Sequence, residues 1–407
     1  MVWGEGGLWG GHLRGMNANA MPAPPTIWQI FASFLRLGAT AFGGPAMVAY
    51  IRRMAVGRKR WMEGGEFDEG VALCQMIPGA TAMQTAAYVG LRLRGVAGAA
   101  VSFVGFGLPA FALMLVLSAL YQRTHELPAV LAAFSGLQAV IVALVANATV
   151  SFARTSLRGW RHALIGALAA ALFGWEVNPF LVIVLAGAAG LAIIPPPTAG
   201  AGPGQDRSHL PQNLRAVAII AGVAAAGFLA LWLWQRRLFD LGALMSRIDL
   251  FAFGGGFSSV PLMFHETVEV RRSLDGPTLL NGIVLGQVTP GPIVITATFV
   301  GYLLAGVAGG AVATVAVFLP SFLLVVGVAP YFDRLRGSPV FTRAISGVLC
   351  CFVGLLLTVT VRFGGQVHWD WFHAVLAAGA FAALFMRVDI LWVVLVGTGA
   401  SILACWK

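Results

Sequence analysis

Ala41-Phe42-Gly43-Gly44 recurs, 211 residues further on, as Ala252-Phe253-Gly254-Gly255. The match continues outward in order. Gln75, Pro78 and Gly79 return as Gln287, Pro290 and Gly291, with one residue inserted around the Pro-Gly segment. Val89-Gly90 returns as Val300-Gly301, Gly95-Val96-Ala97-Gly98 as Gly306-Val307-Ala308-Gly309, Leu108-Pro109 as Leu319-Pro320, and Phe111 as Phe322. An ordered series of this kind marks a chain built from two copies of one design. The reading is residues 1–26 as a disordered N-terminal arm, 27–194 as the first half, 195–213 as a linker rich in Pro and Gly, and 214–407 as the second half. The arm lacks a charged start followed by an apolar core, so no cleavable signal peptide is expected there.

The composition sets the environment of both copies. Hydrophobic residues make up 58% of the chain and charged residues 10%, where a soluble domain carries about a quarter charged. Residues 96–121, 129–152, 216–235, 306–331 and 344–361 are uncharged and close to or beyond the roughly 20 residues that cross a bilayer. The fold class expected is therefore an all-α polytopic membrane protein. Net charge is +10, but the positive residues sit between apolar spans, as membrane topology requires. No basic face with interleaved aromatics is visible, so nucleic acid is not an expected partner. The 12 Trp suit interfacial belts. The four Cys and seven His show no metal-ligand spacing, and no Walker A segment is present, so no cofactor is expected.

The charges also orient the copies. Arg52, Arg53, Arg58, Lys59 and Arg60 in the first half face only Arg271 and Arg272 in the second. The next pair of loops reverses this, with Arg123 alone against Arg334, Arg336 and Arg343. The following pair reverses again, with Arg154, Arg158 and Arg161 against Arg362. Equivalent loops carry opposite positive bias and so lie on opposite sides of the membrane, which defines an inverted repeat. Keeping Arg52–Arg60 and Arg92/Arg94 on one side forces 66–91 to enter and return on that side around Pro78-Gly79. The same holds for 278–304 around Pro290-Gly291, giving re-entrant or broken helices. Residues 163–194, interrupted by 175–179, read equally as one long span or a short hairpin.

Four Gly/Pro interruptions lie in apolar surroundings at matched positions: Phe42-Gly43-Gly44-Pro45, Ile77-Pro78-Gly79, Phe253-Gly254-Gly255-Gly256 and Thr289-Pro290-Gly291-Pro292. Irregular backbone at membrane depth is tolerated only where protein or a water-filled cavity satisfies it, and paired interruptions point to a transporter's binding site. A helix that starts at such a break offers free N–H groups and the positive end of its dipole, which suits an anion. The candidate substrate-binding residues are Gly43, Gly44, Pro45, Gln75, Pro78, Gly79, Gln84, Gly254, Gly255, Gly256, Gln287, Thr289, Pro290, Gly291 and Pro292. Thr81, Thr85, Ser258, Ser259 and Thr296 are further hydroxyl donors in the same segments. Small residues also serve plain helix packing, which is the competing reading of any single glycine. Arg36, Glu66, Asp68, Glu69, Asp249, His265 and Glu266 flank the breaks and read as interfacial anchors.

These residues resemble the chromate ion transporter family in its long, two-half form. The matching stretches are Phe42-Gly43-Gly44-Pro45, Arg60-Trp61, Ala72-Leu73-Cys74-Gln75 into Pro78-Gly79, Gln84, Gly90 and Leu108-Pro109. In the second half they are Phe253-Gly254-Gly255-Gly256, Gly286-Gln287, and Thr289-Pro290-Gly291-Pro292 through Thr298 and Gly301. Ala80 stands where the family has a second proline, and Arg271-Arg272-Ser273 where a Trp is usual. The resemblance implies export of chromate, a tetrahedral oxyanion, across the cell inner membrane, with chromate resistance as the result. Export would be driven by membrane potential or ion coupling. The partners implied are chromate or a sulfate-like oxyanion and the lipid bilayer, with a homodimer left open. Transport of sulfate or another anion is the alternative. A membrane scaffold or sensor has no use for matched irregular backbone. An intramembrane enzyme is the remote one, since no HExxH, GxSxG or paired-Asp motif occurs.

Overall fold

The computed structural model describes residues 24–42, 46–196 and 214–405. Most of the expected arm and linker, and Gly43, Gly44 and Pro45, lie outside the described residues. The described residues form helices joined by short turns, with no strand among them.

The first half runs α1 (Ile27–Thr40), α2 (Ala46–Arg52), α3 (Gly64–Met76), α4 (Thr81–Thr124), α5 (Pro128–Ser156), α6 (Trp160–Gly174) and α7 (Pro179–Ile193). After α8 (Leu214–Trp234), the second half runs α9 (Arg236–Leu250), α10 (Ser259–Phe264), α11 (Gly276–Val288), α12 (Thr296–Val328), the short α13 (Phe332–Arg336), α14 (Pro339–Gln366), α15 (Trp371–Phe385) and α16 (Ile390–Cys405). Each of α1 to α7 has its repeat: α9, α10, α11, α12, α14, α15 and α16. Even a wide-turn segment recurs, after α2 at Arg53–Arg58 and after α10 at His265–Val270. Among the described residues α8 has no counterpart in the first half.

The helix α4 is not one span. Its backbone leaves helical geometry at Arg94 and Gly95, where Gly95 takes φ +61°. The chain doubles back there. Ser102 Oγ donates to Ala86 O at 2.8 Å across the turn, and a Cβ on Gly90 or Gly98 would collide with the other's backbone. Glycine at both positions lets the two arms touch. The same turn falls at Ala305–Gly306 in α12, with Thr298 and Thr314 hydroxyls 2.6 Å apart. The arm at 81–93 therefore returns alongside α3, held by Arg92 on Glu66 and by Tyr88 against Gly70. The pair α3 and 81–93 forms the re-entrant hairpin that the charge pattern requires, with Pro78-Gly79 at its tip. Its repeat is α11 with 296–304, tipped by Pro290-Gly291. The arm 96–124, at about 1.5 Å per residue, is long enough to cross the bilayer core.

The hairpins α6–α7 and α15–α16 exchange between halves. Gly166 on α6 lies against Cys350 and Gly190 on α7 against Arg343 and Gly347, so both arms pack on α14. Reciprocally, Ser135 on α5 meets His373 at 2.9 Å, and Gly136 packs against Ser401. The stretch 163–194 is thus a hairpin, turned at Glu176 (φ +61°) and restarted by the Asn178 cap.

The symmetry axis passes between α5 and α14. Thr149 Oγ1 lies 3.3 Å from Thr360 Oγ1, its own repeat 211 residues on. Further along, Cys350 Sγ reaches Ser156 O at 3.6 Å, so the two helices run antiparallel. A twofold relating antiparallel transmembrane helices lies in the membrane plane, and the halves are inverted. Exposed Trp28, Trp160, Trp175, Trp234 and Trp371 stand at helix ends, where the membrane interface places them.

Candidate functional site

Two reciprocal hydrogen bonds tie the hairpin tips to the residues that precede the other two interruptions. Gly79 N–H donates to Ala252 O at 2.8 Å, and Gly291 N–H donates to Ala41 O at 3.0 Å. Each hairpin tip of one half is thereby pinned to the broken segment of the other. The tips need glycine: φ is +118° at Gly79 and +123° at Gly291, a region costly for any side chain. Space forbids one too. A Cβ on Gly79 would collide with Ser321 Oγ, and one on Gly291 would lie 2.6 Å from Ala110 Cβ. Ser321 and Ala110 are themselves repeats.

The predicted residues fall around this crossing unevenly. Pro78, Gly79, Pro290, Gly291 and Pro292 form the tips. Gly254 and Gly255 (φ +84° and +101°) carry the broken segment of the second half over to the first, where a Cβ on Gly255 would lie 3.2 Å from Thr81 Oγ1. Gly256 packs on Ile293 and Val294 beside the other tip. Gln84 is fully buried, its amide donating to Pro78 O at 2.6 Å while its carbonyl oxygen has no partner. Gln287 is buried with an unpartnered amide nitrogen. Gln75, its repeat, is exposed on α3. The hydroxyls of Thr85, Ser258, Ser259, Thr289 and Thr296 all donate to backbone carbonyls one turn back, whereas the Thr81 hydroxyl beside Gly255 and the Gln287 amide stay free to donate along with backbone N–H groups. The helix starting at Thr81 and that starting at Thr296 have no side-chain cap.

A cavity of about 490 Å³ reaches the crossing from one side. Arg36, Arg53, Arg58 and Lys59 line it together with Thr40 and Ala41, the residue whose carbonyl accepts from Gly291. None of the four cations forms an ion pair with a described residue. A cleft lined by one sign of charge raises the local concentration of the opposite ion. By sequence alone Arg36 reads as an interfacial anchor and the others as a topology signal. Arg36 and Thr40 share one face of α1 at i and i+4, directly before the Gly-Gly-Pro break, and that placement was the available clue.

Interfacial anchoring fails for two acids. Asp249 and Glu266 are buried. The reason for Asp249 is Pro320, which interrupts the α12 ladder. Ser246 Oγ donates to Ala316 O at 3.0 Å, the carbonyl that Pro320 leaves free. One turn on, Asp249 accepts from Ser321 N–H at 2.8 Å and from Ser321 Oγ at 2.7 Å. Glu266 lies 3.6 Å from both Arg247 and Arg271.

The family model described as chromate transporter matches residues 28–191 and again 239–402. An uncharacterized transporter of Methanocaldococcus jannaschii is 40% identical over 381 residues, covering 91% of this chain and 92% of that one. A chromate transport protein of Cupriavidus metallidurans is 29% identical over 368 residues, 88% of each chain. A probable chromate transport protein of Synechococcus elongatus is 31% identical over 343 residues, 83% of this chain and 84% of that one. No solved structure matches the chain. With two family matches laid end to end on two halves that interlock at their glycine tips, this chain is a multi-pass membrane protein of the chromate transporter family.

Proposed function

We propose that the protein exports chromate from the cytoplasm through the inner membrane, passing the anion from the basic cavity to the backbone donors at the crossed tips. The observation that carries this is the cavity itself: four cations that form no ion pair with a described residue, lining a space that includes Ala41. Its mouth is on the side of Arg52, Arg58, Lys59 and Arg60, which the positive-inside rule assigns to the cytoplasm. The cycle therefore begins with the site open to the compartment from which the anion is removed. The uncapped starts of 81–93 and of the turn Ile293–Ile295 that runs into α12 supply the positive ends of helix dipoles at the membrane's centre. Because those donors are backbone groups, they recognise a tetrahedral dianion by shape and charge, and sulfate competes.

The membrane potential supplies driving force without nucleotide hydrolysis. One charge crossing 100 mV is worth about 2.3 kcal/mol, so a dianion leaving a negative-inside cell with no accompanying ion gains roughly 4.6 kcal/mol per 100 mV. That sustains about a two-thousandfold gradient.

The test is chromate uptake into inside-out vesicles from cells with and without the protein, under a potential positive inside the vesicle. Protein-dependent uptake that rises with the potential and falls with excess sulfate is expected. Uptake that ignores the protein, with the protein shown to be inserted, sinks the reading.

A further inference from the structure

We propose that Asp249 is a proton-binding site of the transport cycle, its carboxyl group taking up one proton when the anion occupies the Gly79 tip and releasing it when the anion leaves. This rests on the reading that an anion passes that tip.

Asp249 is fully buried in the last turn of α9. It has no cationic partner among the described residues. Its contacts are the N–H and hydroxyl of one residue, Ser321. Ser321 Oγ in turn sits directly against Gly79, on the same side as the Gln84 amide. The carboxyl group is therefore one side chain away from a tip whose own N–H is pinned to Ala252, three residues beyond Asp249. An ionisable group at this depth is functional by default, and bonding the α12 backbone beyond Pro320 does not by itself call for an acid, since Pro109 interrupts α4 at the matching position. The repeat position is Gly38, where the helix packs directly on the Phe106 backbone. The first half closes the same contact with no acid at all.

The surrounding charges leave Asp249 alone. On α9 itself, Arg247 is engaged by Glu266 at 3.6 Å and by the Phe180 ring at 3.7 Å, and Asp240 lies more than two turns back. On the segment after α10, His265 pairs with Glu269 at 2.8 Å, and Glu269 also holds Arg362. The helix α12 brings only Tyr302, and α8 only Arg215. Burial without a cation makes the charged form costly, and the two Ser321 donors offset part of that cost. An anion arriving at Gly79 adds like-charge repulsion across Ser321. Proton and anion therefore bind together and travel in the same direction. The net charge moved per dianion is then one rather than two.

The experiment uses purified full-length protein in proteoliposomes, with chromate as the probe at alkaline pH, where it is the dianion. A trapped pH dye and the potential at which chromate flux reverses are both read. For wild type, proton movement accompanies chromate in the same direction. In Asp249→Asn, chromate flux falls about three- to tenfold, and the remainder carries no proton. Without a pH gradient, its reversal potential for a given chromate gradient is half that of wild type, because two charges now move instead of one. Ser321→Ala keeps the acid but removes its hydroxyl partner, and shifts the pH of half-maximal flux while retaining proton movement. Equal proton movement in wild type and Asp249→Asn overturns the proposal, as does none in either. If Asp249→Asn does not insert, an unshifted pH profile in Ser321→Ala overturns it. Absence of any chromate flux in wild type is a different failure, that of the transport reading on which the proposal rests.

Discussion

The two halves carry the same pair of cations at the mouth of the same groove, and only one groove is open. In the first half Arg36 and Lys59 line a cavity of about 490 Å³. In the second half their repeats, Arg247 and Arg271, close on Glu266, each at 3.6 Å, and Phe180 from α7 covers Arg247 at 3.7 Å. The position of Glu266 is Met54 in the first half. Thr40 is Phe251 in the second, packed edge-on against Phe180 at 4.9 Å. The re-entrant arms differ in the same sense. The helix α11 is wedged against α5, α12, α14 and α16, whereas α3 touches chiefly its own return arm and α2. Gln287 is accordingly buried where Gln75 is exposed. An inverted repeat whose halves took identical conformations would be open on both sides or on neither. The difference between the halves is what gives the site one open side.

The strongest test strikes where the halves are alike. Gly291→Val and Gly79→Val each place a branched side chain at a φ above +115° and against a filled neighbour. Each should reduce chromate flux at least about a hundredfold while the protein still inserts. A large loss from only one of them would break the equivalence of the tips. The next effect comes from making the halves alike where they differ. Met54→Glu puts an acid between Arg36 and Lys59 and should close the open groove, lowering flux about tenfold and slowing modification of a cysteine placed at Thr40. Unchanged flux with unchanged reactivity would mean that the single acid does not decide which groove is open.

Much of this was legible in the sequence because the repeat made it so. The repeats of Gly43-Gly44 as Gly254-Gly255 and of Pro78-Gly79 as Pro290-Gly291 pointed to the breaks, and at Gly79, Gly254, Gly255 and Gly291 the backbone does take the positive φ that glycine serves. The alternating arginines fixed inversion, because loop charge is set by the membrane rather than by packing. What escaped was pairing across the axis. Nothing local to Gly79 shows that its N–H goes to Ala252, or that α6–α7 leaves its own half to pack on α14. Nor does Asp249, flanked by Arg247 and Leu250, differ in pattern from an interfacial acid. Its burial follows from Pro320, some 70 residues away, which opens the helix that Asp249 then satisfies. The cationic cavity escaped for a related reason: the same arginines that report topology also line the path, and composition does not separate the two duties.

A milder test reads the arms directly. In a cysteine-free background, Gln75→Cys should react with a water-soluble maleimide about tenfold faster than Gln287→Cys. Saturating chromate under conditions that favour outward release should narrow that ratio. Equal rates at the outset would mean that α3 and α11 differ only in which side of the protein they face.

The smallest effect is expected from Glu266→Gln, and its size is informative. At 3.6 Å the carboxylate sits beyond hydrogen-bond reach of both arginines, and those arginines are 45% and 41% exposed. Ion pairs of that kind contribute modestly, and Arg247 keeps its contact with Phe180 when the acid is neutralised. Removing the charge should therefore loosen the closed groove without opening it, changing chromate flux by about two- to threefold. The change should shrink as salt rises from low to physiological strength, because screening already weakens the pair in the wild type. A change of tenfold or more would mean that the charge pair alone holds the groove shut, and that Phe180 and Phe251 merely follow it. No change, together with a large response to Phe180→Ala, would assign closure to the aromatic pair. The comparison of the two halves would then turn on Thr40 against Phe251 rather than on Met54 against Glu266.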